Sequence, residues 1–187
     1  YYKFSVNDYS DGLSILNRVI KLCDNEDAYG LRVVALSYLA QYYAYNNDFN
    51  NSEIYLKQAK DMLGECSGNF ATIASVVLSN RYQVCYVSKY IHGERLLSVL
   101  PFFNDSLKRL DGSRCFYNND TAYDELSPLQ RFLIPSVKKR LAKLYNLLGK
   151  YHEALELERD VEFFYSKDDK FSALAALIKI DKGYTLA

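Results

Sequence analysis

The chain has no tryptophan, one methionine, two histidines, three prolines and eight glycines in 187 residues. Each scarcity removes a class of chemistry. His92 and His152 are too few for a histidine metal centre, and His152-Glu153 lacks the second histidine of a zincin helix. No Walker loop, G-x-G-x-x-G or G-x-S-x-G occurs. Cys23, Cys66, Cys85 and Cys115 are all more than four residues apart, so no C-x-x-C ligand pair exists. No catalytic residue, metal ligand or cofactor is therefore expected. Lys+Arg and Asp+Glu are both 23, so no overall field draws the molecule to nucleic acid or an anionic surface. No apolar run reaches the roughly 18 residues of a membrane span. Free thiols at the apolar helical positions of Cys23, Cys66 and Cys85 fit an intracellular setting, cytoplasmic or nuclear, with a periplasmic or secreted one as the alternative. The chain opens at Tyr1 without methionine and reads as a fragment of a longer protein, folded as a single domain over 1–187.

What is abundant is aromatic: 18 Tyr and 10 Phe. Such side chains serve as knobs between stacked helices, and a phenol can keep its hydroxyl wet at the rim of a groove. Apolar residues recur at helical spacing almost throughout, with no strand-like alternation. The spacing predicts helices over about 8–23, 28–45, 50–63, 69–90, 94–110, 128–148, 152–165 and 170–182. Pro101 should kink or split the fifth. Ser127-Pro128 has the form of an N-cap with proline at the first helical position. Pro135 should divide the 128–148 segment into a short lead-in and a main helix from Ser136. Residues 113–126 show no clear period and are expected to form a long connection lying across one end of a groove.

One pattern occurs twice. Leu39-Ala40, Tyr43, Asn47-Asp48-Phe49 and Ser52 are echoed by Leu141-Ala142, Tyr145, Gly149-Lys150-Tyr151 and Ala154. The interval from 39 to 141 is 102, three times 34, the period of a helix-turn-helix repeat. Ala154 lets two helix axes approach, and Gly149 suits a turn that needs positive φ. Asn47 stands in its place in the first copy, a residue that also tolerates that backbone.

These residues resemble the tetratricopeptide repeat family. The resemblance implies an all-α fold of about seven helices: antiparallel pairs stacked into a right-handed superhelix, a TPR-like α-solenoid. It also implies that the first helix of each pair lines a concave groove. Carried onto the clear copy, the inward positions are Ser136, Lys139, Arg140, Lys143 and Asn146; in the earlier copy they are Val34, Ser37, Gln41, Ala44 and Tyr45. Lys139 and Lys143, four apart, share a helix face and can grip acidic groups of an extended peptide. The alternative is that Lys138-Lys139-Arg140 is a solvated helix face. Gln41 occupies a place where chaperone-tail binders of the family carry Asn, which speaks against that ligand.

The expected function is that of a non-enzymatic protein- or peptide-interaction module. Its expected binding residues are Gln41, Tyr45, Asn80, Arg81, Lys139, Arg140, Lys143 and Asn146, with no direct nucleic acid contact and no membrane span. The alternatives are a ligand- or peptide-sensing domain of a signalling or transcriptional regulator, and a structural spacer in a large assembly.

Overall fold

The computed structural model describes residues 9–23, 28–89 and 94–167, and these are helical with no strands. In chain order the helices are α1 Tyr9–Leu22, α2 Tyr29–Tyr45, α3 Phe49–Leu63, α4 Gly68–Lys89, α5 Glu94–Leu97, α6 Leu100–Arg109, α7 Asp120–Asp124, α8 Pro128–Leu147 and α9 Tyr151–Ser166. The helix expected over 170–182 lies outside the described residues. The chain forms two compact units, residues 1–91 and residues 92–187.

In the first unit α2 is the central element, packing against α1, α3 and α4. It is apolar on nearly every side, as a helix with three neighbours must be. Val33, Ala35, Leu36, Leu39, Ala40 and Ala44 are all buried. The small side chains of Ala40, Ser52 and Ala59, each nearly inaccessible, sit where the repeat pattern asks helices to approach. Tyr43 of α2 stacks on Tyr55 of α3 with ring centroids 5.3 Å apart.

In the second unit α8 packs against α6 and α9. Its core joins Phe103, Leu107, Ile134, Val137, Leu141 and Leu144 with Ala154, Val161 and Phe164. Ser127 and Gln130 form a full capping box at the start of α8, with Pro128 just inside it.

Among the described residues, α2, α6 and α8 end with the same device. After α2, Asp48 N–H donates to Tyr43 C=O and Asn47 N–H to Ala44 C=O, with Asn47 at φ 60°. After α8 the equivalent bonds run from Lys150 to Tyr145 and from Gly149 to Asn146, with Gly149 at φ 71°. After α6 they run from Gly112 to Leu107 and from Asp111 to Lys108, with Asp111 at φ 53°. Each is a Schellman cap, which satisfies the last helical carbonyls through one left-handed residue. The positive φ expected at 47 and 149 is present.

Two expectations change. Pro135 lies inside an unbroken α8 and does not divide it. Its missing N–H costs about 3 kcal/mol, but Leu133, Ile134, Val137 and Leu141 around it are buried, at roughly 1.5–3 kcal/mol each. Burial on both sides of the proline outweighs the lost bond. Residues 113–126, expected to be irregular throughout, contain α7, whose start Asn119 caps by accepting from the N–H of Ala122. Pro101, by contrast, sits at the start of α6, where it separates that helix from α5.

Candidate functional site

Tyr38, Gln41 and Tyr45 are spaced three and four apart along α2, so they share one face. Arg81 reaches that face from α4. Its guanidinium lies over the Tyr38 ring at 4.2 Å from the centroid. Its Nη2 donates to the Tyr38 hydroxyl at 3.0 Å, and its Nη1 donates to Gln41 Oε1. Gln41 Nε2 in turn donates to the Tyr45 hydroxyl at 2.7 Å. Three of the residues expected from sequence, Gln41, Tyr45 and Arg81, thus form one hydrogen-bonded chain. Tyr38, which the sequence marks only as a packing aromatic, is its anchor.

The chain runs from half-buried Arg81 to Tyr45, which is 55% exposed. The Oδ1 atom of Asn80 and the Nε atom of Arg81 are buried without a hydrogen-bond partner among the described residues. A buried polar atom left in that state costs about 1–3 kcal/mol. Cys85, one turn beyond Arg81, is buried, and burial pushes its thiol up to about 11. A hydrogen bond to Ser52 and the Arg81 charge act in the opposite direction.

Ser37 and Ala44, expected to line the inner face, are buried instead. Ser37 donates to Val34 C=O at 2.7 Å, which satisfies its hydroxyl inside the helix pack.

In the second unit Lys139 and Arg140 are half-buried and Lys143 is exposed. Neither Lys139 nor Lys143 is held in an ion pair among the described residues. Asn146 faces α9: its Nδ2 lies 3.4 Å from Oε1 of Glu158, which is itself buried. Asn146 therefore helps to join the hairpin.

Lys138 overturns the picture of a solvated 138–140 face. It is 2% exposed, paired with Asp160 of α9, and donates to Arg114 C=O at 2.7 Å. Asp160 Oδ1 also accepts the N–H groups of Phe116 at 2.9 Å and Tyr117 at 2.7 Å. The charges are buried because a carboxylate and a carbonyl replace the water of the cation, and two amides replace that of the anion. The repeat interval holds the signal for this. Lys138 and Glu158 stand 102 residues after Leu36 and Leu56, both buried apolar residues of the first copy. A polar residue in an apolar register position marks a buried partner.

Among the described residues no group of three His, Cys, Asp or Glu side chains is placed to hold a metal ion. No helix among them is long and apolar enough to cross a membrane. His152 is exposed at the start of α9, 3.5 Å from Glu156, a solvated helix-start position. Compared with known proteins, the chain matches no family model, no curated protein and no solved structure.

Proposed function

We propose that the chain is a non-enzymatic interaction module, a TPR-like array of helix pairs that holds an extended segment of a partner protein. The observation that carries this reading is the hydrogen-bonded chain from Arg81 through Gln41 to Tyr45, whose ring is 55% exposed. A segment laid along this face packs a side chain on the Tyr45 ring and accepts a hydrogen bond from its hydroxyl through a backbone carbonyl. Arg81 and Gln41 hold the Tyr45 hydroxyl in place before the partner arrives, which lowers the ordering cost of binding. Lys139 and Lys143 of the second unit are cations on one helix face, suited to acidic side chains or a terminal carboxylate. The shared Schellman turn after α2 and α8, with small residues at 40, 52, 142 and 154, supports the repeat architecture. Free thiols at all four cysteines support an intracellular setting.

The test is selection of binders from a random linear peptide library displayed on phage. The recovered peptides are then titrated against the wild-type chain and against Tyr45→Ala and Arg81→Ala. Loss of about tenfold or more in affinity is expected in both, with the melting temperature unchanged in Tyr45→Ala. Peptides that bind both variants as well as the wild type contradict the reading.

A further inference from the structure

The two repeat copies differ in what covers the same register positions, and the difference exposes a second site. In the second unit the loop before α7 is seated on the α8–α9 hairpin. Phe116 is fully buried there. Its N–H bonds Asp160, its ring meets Phe164 at 5.1 Å, and Lys138 Nζ lies 4.9 Å from its centroid.

Subtracting the repeat interval of 102 from Lys138, Asp160 and Phe164 gives Leu36, Gln58 and Met62. All three line one cleft of about 580 Å³ between α1, α2 and α3. Binding pockets run from about 300 to 1,000 Å³. The positions that grip Phe116 in one copy are thus the walls of an open cleft in the other.

We infer that this cleft binds an extended partner segment of the same character as Arg114–Tyr117, an aromatic side chain with a basic neighbour. The aromatic residue enters between Leu36 and Met62, as Phe116 enters between Lys138 and Phe164. Gln58 stands where Asp160 accepts backbone N–H groups, and its side-chain carbonyl can do the same. The basic neighbour is set by charge. Asp61 and Glu65 also line the cleft, one helical turn apart, and neither is paired with a cation among the described residues. Arg32, a further lining residue, has an interaction of its own.

This cleft is separate from the face that carries Tyr38 and Arg81. Tyr29, Arg32 and Leu36 line the cleft, and each stands nine residues before Tyr38, Gln41 or Tyr45. Nine residues is about two and a half turns at 3.6 per turn, which puts the two sets on opposite sides of α2.

The probe is a fluorescein-labelled hexapeptide amide, Ser-Arg-Ser-Phe-Tyr-Asn, the 113–118 sequence with serine for Cys115, titrated by fluorescence anisotropy. Saturable binding is expected. Replacing the peptide phenylalanine by alanine should weaken it about tenfold or more, and so should Asp61→Lys with Glu65→Lys in the protein. Both protein positions are exposed, so the melting temperature should hold. Arg81→Ala should leave this binding unchanged, which separates a failure here from a failure of the other site. No saturation, equal binding of the alanine peptide, or loss on Arg81→Ala overturns the assignment. A concentration-dependent dimer abolished by the charge reversal would give the cleft to a second copy and overturn it as well.

Discussion

One oxygen of Asp160 accepts the backbone N–H of Phe116 at 2.9 Å, joining α9 to a loop 44 residues earlier in the chain. The same oxygen accepts Tyr117 N–H, and the other oxygen holds Lys138. A single carboxylate therefore orders the loop and neutralises a buried cation. Its removal strands both.

Asp160→Ala is expected to destabilise the chain by about 3–5 kcal/mol, the usual cost of leaving one member of a buried pair alone. Lys138→Met should cost less, because Asp160 keeps its two N–H donors and the methionine fills the stem's volume. Urea unfolding measures the difference. Amide exchange at Phe116 and Tyr117 should accelerate in Asp160→Ala. Equal, small losses in the two variants would mean that the loop is held by Phe116 packing alone.

The helix-end turns give a second test. Gly149→Ala places a Cβ in the left-handed region and should cost about 1–2 kcal/mol. Asn47→Gly relieves the same strain in the other hairpin and should be neutral or stabilising by a few tenths of a kcal/mol. Opposite signs at 47 and 149 in thermal unfolding are the expected outcome.

Alkaline pH probes the first unit. The Cys85 thiol rises from 9.0 to about 11 on burial, so the folded state holds a proton that the unfolded state gives up. Stability from this group is complete below pH 9.0 and drains as pH climbs to about 11, by on the order of 2–3 kcal/mol. Burial raises Tyr82 as well, which adds to the same slope. Cys85→Ala should flatten the loss between those pH values. Cys115 is exposed, yet partial burial of its thiol and the nearby Asp160 carboxylate raise its pKa too. It should react with a thiol reagent more slowly than its exposure implies, and faster in Asp160→Ala.

How far the fold is legible depends on what kind of signal each element carries. α2 and α3 announce themselves because long apolar periodicity coincides with Asn47 and Gly64 at their ends, and α9 because Gly149 marks the turn before it. Pro135 misleads, because a propensity rule says nothing of the burial that surrounds the residue. α7 escapes notice because its five residues hold no period, and its one signal is the Asn119 cap. Gln41 stands out by its place in the doubled pattern, but Tyr38 does not, since an aromatic residue reads first as packing. Lys138 looks like surface because charge patterning alone cannot tell a buried cation from a solvated one. Its burial depends on Asp160 and Arg114, which the fold brings together from other segments.

The most direct test of the interaction module is the affinity of a phage-selected peptide for the wild-type chain against Tyr45→Ala, read by isothermal titration calorimetry. A loss of about tenfold or more at unchanged melting temperature is the expected result. Equal affinities, in a variant that remains folded, would contradict it.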